Sequence, residues 1–306
     1  MPCAYAHLTI VNKLKATNRL DAIPGLPTAA KAAVSKYLRY CELGAVSPDY
    51  PYLALGDKRA AEWADTMHWT RTGEVIHAGV RRVRAMNGES QKKVLAWLLG
   101  YVAHVTADVT IHPVVNLKVG DYEHHKTEHR ICEMHQDVYI YQQLNLGGVH
   151  LSEHLDDGIC QCGTDGKLDA DICAVWDGML QDVHPNLHGT NKPDFHKWHR
   201  GFVNIVDNIA QEGESLMPVA RHIAAGQGLV YPALKDLNRE YIDNLEVPGG
   251  RASYDEIFEK AINNVAQVWA LVGGGVVEAK EQYLAKIGNW NLDTGKDASQ
   301  KLVFWS

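Results

Sequence analysis

The chain has 306 residues, of which 46% are hydrophobic and 22% charged, with a formal charge of −7. That length can bury a large core, and the absence of low-complexity or Gly-X-Y tracts excludes disordered and fibrous classes. The negative charge and the lack of a dense Lys/Arg tract make a nucleic-acid partner an unfavourable reading.

The N-terminal stretch MPCAYAHLTIVNKLK lacks the charged, apolar, small-residue order of a secretory leader. No apolar run reads as long enough to span a bilayer, so a cytoplasmic location is expected. Six scattered cysteines, Cys3, Cys41, Cys132, Cys160, Cys162 and Cys173, suit free thiols in a reducing compartment.

Most of the chain reads as helix. Thr28 to Leu43 is an Ala-rich periodic segment that follows the Pro24 and Pro27 loop and stops at Gly44. Gly73 to Asn87 forms a second helix. Ser90 opens a long apolar third, which Pro113 is expected to terminate. Thr127 to Leu144 follows and closes at Gly147-Gly148. His150 to Thr164 is polar and Gly/Asp-rich, hence a loop. Helices are expected at about Asp169 to Val183, Asp194 to Gln211, Ser215 to Ala225 and Pro232 to Leu245. A last one runs from Tyr254 to Lys286, with Gly273-Gly274-Gly275 as a kink or tight crossing. Strand signals are weak, and no repeat or linker breaks the chain. The expectation is one all-α domain over 1–306.

Two segments carry chemistry. His104, Asp108 and His112 stand four residues apart in an apolar helix, and His129, Glu133 and Asp137 repeat the spacing. Residues four apart share a helix face, and imidazole nitrogen with carboxylate oxygen is the donor set that Zn²⁺ takes in hydrolytic sites. A lone histidine is more often a satisfied core or surface residue. Here the surrounding Val102, Ala103, Val105, Ala107, Val109 and Ile111 imply burial on every side. Two imidazoles and a carboxylate buried there demand a cation or a dense hydrogen-bond network. His124 and Glu128 share the same spacing as His129 and Glu133. The second pair is preferred because it alone continues to an Asp one turn on.

Further motifs are Gly44-Ala45-Val46-Ser47-Pro48-Asp49-Tyr50, Trp63-Ala64-Asp65-Thr66-Met67-His68-Trp69, and AHLTIVNKL around His7. Together with the two clusters above, and taken in chain order from His7, these five motifs resemble the zinc-dependent phospholipase C family over about the first 145 residues. That family includes secreted bacterial phosphatidylcholine-hydrolysing enzymes and the catalytic domain of the glycosylphosphatidylinositol-specific phospholipase D, and is distantly similar to single-strand-specific zinc nucleases. The resemblance implies a mostly helical fold around a cluster of two or three Zn²⁺. It implies His7, His68, His104, His112, His129 and Glu133 as ligands, Asp108 as a bridging carboxylate, and Asp49 as a ligand or general base. The secreted members also use an N-terminal tryptophan as a ligand, whereas six residues precede His7 here and none is Trp.

The implied reaction is hydrolysis of a phosphodiester by a water that zinc acidifies to a pKa of roughly 7. A phospholipid is the expected substrate, with transient contact to a membrane surface. The rival readings are a zinc nuclease, and a binding module that keeps the metal without turnover. Tyr50, Trp63 and Trp69 are read either as substrate-lining residues or as plain core. His150, His154, Cys160 and Cys162 suggest a separate structural zinc site, though without the usual Cys-x2-Cys knuckle. His184, His188, His196 and His199 read as loop and surface residues. The half beyond Asn145 reads as helix and little more.

Overall fold

Val94 to Val115 are buried without exception, because a helix that is apolar all round has no face to turn to water. These residues form the middle of α7 (Gly88–Val119), the axis of an all-α fold. The computed structural model describes residues 4–54, 56–144, 151–212 and 232–305. Around α7 lie α1 (Ala4–Lys15), α3 (Thr28–Lys36), α4 (Leu38–Val46), α6 (Thr72–Arg84), α8 (Lys126–Tyr141) and α13 (Tyr254–Val277). By length and composition α7 would suffice to cross a bilayer, contrary to the sequence expectation; its apolar window is wholly enclosed by the protein.

Pro113 does not end this helix. Proline removes the bond its N–H would make to the carbonyl of Val109, while the C-terminal segment holds the helix on either side of it. The Trp305 indole donates to Thr110 O (2.7 Å), and Asn116 Nδ2 donates to Asp293 O (2.7 Å). Gly295 lies so close to Pro113 and Val109 O that a side chain there would collide with both.

The helix expected from Thr28 to Leu43 is two, broken at Tyr37 (φ −119°, ψ 39°). Gly44 lies inside α4 rather than ending it, at the crossing with α7. A Cβ on Gly44 would lie 2.0 Å from Trp97 O, and one on Gly100 would lie 1.9 Å from Cys41 O. The two glycines let one backbone rest on the other, and this brings the Ala45 carbonyl to His104.

The remaining helices include α2 (Thr17–Ala22), α5 (Lys58–Trp69), α9 (Leu151–Asp157), α10 (Ala170–Val183), α11 (Pro185–Thr190), α12 (Phe195–Glu212) and α14 (Gln282–Lys286). The mid-chain segment read as loop thus contains α9 and a 3-10 turn at Ile159–Cys162. Pro232 to Leu245 is not a helix but two 3-10 turns leading into a strand. Ser253 and Glu256 form a capping box that starts α13. That helix stops at Val277, and α14 follows as a separate piece. Gly273 and Gly275 sit within α13 as close crossings against Leu26 and Tyr283. Among the described residues the strands are three two-stranded ribbons: β1–β2 (Gly163–Thr164, Lys167–Leu168), β3–β4 (Leu245–Val247, Gly250–Ala252) and β5–β6 (Trp290–Asn291, Lys296–Asp297). The expected helix at Ser215 to Ala225, and Gly147-Gly148, lie outside the described residues.

Alanine at Gly100 would gain about 1 kcal/mol of helix propensity. The carbonyl it meets belongs to a backbone that cannot swing aside, and overpacking costs about 1–3 kcal/mol or more. Gly100→Ala is therefore expected to lower the unfolding free energy, read by chemical denaturation. Unchanged stability would show that the α4–α7 crossing is looser than described.

Candidate metal centre

Four histidines are oriented by the same device. His104 donates Nδ1–H to Ala45 O (2.9 Å), and His68, on α5, donates Nδ1–H to Ala64 O (2.7 Å). His112 donates Nδ1–H to Leu292 O (2.6 Å), and His129, on α8, donates Nε2–H to Gly120 O (2.7 Å). A carbonyl only accepts, so each contact assigns the proton to one ring nitrogen and leaves the other as a lone pair in the neutral ring. That is the arrangement that orients metal-binding imidazoles. Gly120 ends α7 at φ +98°, in the left-handed region, and turns its carbonyl to His129.

The free nitrogens converge on carboxylates in two groups. In the first, Asp108 Oδ1 lies 3.3 Å from His7 Nε2, while Oδ2 lies 3.3 Å from His104 Nε2 and 3.8 Å from His68 Nε2. Asp49 Oδ1 stands 3.2 Å from His68 Nε2 and 4.0 Å from His104 Nε2. Two donor triads result, His7–His104–Asp108 and Asp49–His68–His104, each compact enough to hold one ion. In the second group, Glu133 Oε1 lies 3.4 Å from His112 Nε2 and 4.0 Å from His129 Nδ1. The α7 stripe joins the groups, since His104, Asp108 and His112 are successive turns of it.

The donors suit zinc, and their surroundings call for a cation. His7 Nδ1 and Nε2, Asp49 Oδ1, both Asp108 oxygens, His112 Nε2 and His129 Nδ1 are buried and make no hydrogen bond. Each such orphan costs about 1–3 kcal/mol. They approach within ion-pair distance but are not aimed at one another, as expected of atoms arrayed around shared centres. His104 Nε2 also stands 3.4 Å from His68 Nε2. With both Nδ1 atoms committed as donors, two lone pairs face each other unless a positive charge lies between them.

Burial disfavours the charge on His68, but Asp49 and Asp108 outweigh it and raise the pKa to about 9. Burial, with His104 adding to it, lowers His7 to about 3; its ring stacks on His104 at 4.0 Å. Burial opposes ionisation of Asp49 and Asp108, yet the imidazoles around them hold both below the usual carboxylate range.

Asp49 is set by the 3-10 turn Ser47–Leu53, which the Trp97 indole secures by donating to Ser47 Oγ (2.9 Å). The Asp49 side chain is 20% exposed, against 0–2% for the other seven residues in the distances above. His124 and Glu128 are on the surface, with His124 bound to Asp121 (2.6 Å). Asp137 does not meet His129; its Oδ1 accepts from Ala6 N (3.0 Å) and so anchors the start of the helix that carries His7.

Tyr50 and Trp63 are buried core, bonded to His199 and Asn191 O, while Trp69 is 45% exposed. Tyr52 was not singled out by sequence, yet its ring lies 6.2 Å from that of His68. His184, His188 and His199 are buried rather than on the surface; His188 pairs with Asp177 and His199 with Tyr50. His196 is half-buried and accepts from Leu168 N. His154 is engaged by Glu42 (2.9 Å), Cys160 and Cys162 are buried thiols, and His150 lies outside the described residues. The four supporting carbonyls carried no sequence signal, because any residue type can supply one.

A family model described as zinc dependent phospholipase C matches residues 6–186, a span that holds all eight residues of the two groups and extends beyond the motifs near residue 145. Neither the curated proteins nor the solved structures give a match.

Elemental analysis of protein purified without added metal is expected to find at least two zinc ions per chain, with a chelator lowering the melting temperature. Less than one ion, with an indifferent melting temperature, would exclude a metal centre. Glu133→Ala is expected to cut zinc occupancy far more than Glu128→Ala; the reverse ranking would move the ligand pair to His124 and Glu128. Zinc uptake at neutral pH must displace the His68 proton, so affinity should fall roughly tenfold per pH unit below about 9. In metal-free protein the raised His68 pKa contributes stability that is full below about pH 6.5 and lost as pH rises through about 9. Titrations of zinc affinity and of metal-free unfolding against pH check both signs.

Proposed function

Because the chain belongs to the zinc-dependent phospholipase C family, we propose that it hydrolyses a phosphodiester of a phospholipid. Its two or three zinc ions are held by His7, Asp49, His68, His104, Asp108, His112, His129 and Glu133. The observation that carries this reading is the set of four imidazoles whose outer nitrogens are spent on main-chain carbonyls and whose inner nitrogens meet Asp49, Asp108 and Glu133. Bound zinc supplies positive charge that acidifies water toward neutral pH and offsets the negative charge of the phosphodiester.

The protein's own residues do the rest. Asp49 is the most accessible member of the set, and its depressed pKa keeps it ionised at neutral pH. It accepts the proton of the attacking water. Asp108, fully buried with each oxygen facing a different imidazole, holds the first group together. Trp69 follows His68 directly and is exposed, which makes it the aromatic that a lipid or membrane surface meets beside the centre. The net charge of −7 disfavours a nucleic-acid substrate.

Asp49→Asn keeps shape and an oxygen but removes the proton acceptor. Turnover should fall by roughly 10²-fold or more while the fold persists. The assay compares head-group release from phosphatidylcholine and phosphatidylinositol with cleavage of an aryl phosphodiester and of single-stranded DNA and RNA, zinc being supplied. Cleavage of nucleic acid alone would point to a nuclease. No turnover by the zinc-loaded protein would point to a binding module.

A further inference from the structure

Two consecutive residues far along the chain grip both halves of the centre. Leu292 N–H donates to His68 O (3.0 Å), a carbonyl left over at the end of α5. The carbonyl of the same residue accepts from His112 Nδ1 (2.6 Å). Asp293 repeats the pattern one residue on. Its Oδ2 accepts from the indole of Trp69, next to His68 (2.6 Å), and its main-chain carbonyl accepts from Asn116 Nδ2, one turn beyond His112 (2.7 Å). Leu292 is fully buried and Asp293 is 8% exposed. Both lie in the turn between β5 and β6, outside the family-matched span of 6–186.

From this geometry we infer that Leu292 and Asp293 form a clasp that positions His112 for zinc and keeps its group in register with that of His68. The inference rests on the zinc reading of the centre. The physical reason is that His112 has one carbonyl to assign its proton and aim its ring, and that carbonyl sits on a turn whose place is set by Asp293. A turn held at both α5 and α7 cannot shift without moving the His112 ring. Asp293 and Asn116 are therefore positioning residues that act through Leu292.

The test measures zinc affinity in graded metal buffers for the full chain and for Asp293→Leu, Asn116→Ala and Asp293→Asn, with helix content followed by circular dichroism. Asp293→Leu and Asn116→Ala are expected to hold one zinc per chain roughly 10- to 100-fold more weakly, as loss of a supporting contact does, and to hold the others as the parent does. Asp293→Asn retains an oxygen for the Trp69 N–H and should match the parent. Combined with His112→Ala, the Asp293→Leu loss should not add, since both act at one ligand. If Asp293→Leu fails to fold, Asn116→Ala, at a half-buried position of a helix, carries the test. Unchanged affinity in the disrupted variants, equal weakening of every zinc, or additive losses would overturn the clasp and leave the zinc reading standing. A parent chain that binds no zinc would overturn the zinc reading, and the clasp with it.

Discussion

The structure depends on a conflict inside one helix. Helix α7 is buried from Val94 to Val115, yet it carries His104, Asp108 and His112 on one stripe. Apolar burial draws this helix into the core, while the same burial strips water from three polar side chains at a cost of several kcal/mol. The neighbouring elements are arranged to meet that cost. His7 comes from α1, Asp49 from the turn after α4, His68 from α5, and His129 with Glu133 from α8.

Close backbone approach is what makes the arrangement possible. Gly44 and Gly100 allow α4 to rest on α7, and the Ala45 carbonyl then reaches His104. Ala45 O lies near a helix end, Gly120 follows one, and Leu292 lies in a ribbon turn, whereas Ala64 O lies inside α5, one turn before the His68 it aims. At such ends and turns hydrogen bonding within the helix or ribbon leaves carbonyls available. For His104, His112 and His129, groups that helix and ribbon formation leave available become those that aim the imidazoles, so the ends of these elements and the geometry of the centre are solved together.

Electrostatics reinforces the point. Asp49 and Asp108 stand close enough to His68 to raise its pKa to about 9 in spite of burial, so a proton competes with a metal ion for the same nitrogen. One positive charge can stand in for another, and this links the centre to pH through competition rather than through a separate switch. The belonging of residues 6–186 to a zinc-dependent phospholipase family matches a donor set of imidazoles and carboxylates with no cysteine in it.

Much of this was legible in the residues. The four-residue spacing of His104, Asp108 and His112 amid valine and alanine dictates a buried polar stripe, since helix periodicity is local and burial follows from composition. The order of His7, Asp49, His68 and His129 carried the family. Spacing could rank but not separate His129–Glu133 from His124–Glu128, because both pairs satisfy one helical turn; tertiary packing buries the first against His112 and leaves the second in water. Gly44 reads as a helix stop and Pro113 as a terminator by local rules. Both lie inside helices, because contacts from elsewhere in the chain outweigh those rules. The carbonyls of Ala45, Ala64, Gly120 and Leu292 are invisible to sequence, since the backbone is the same at every residue. Only the fold decides which of them faces an imidazole.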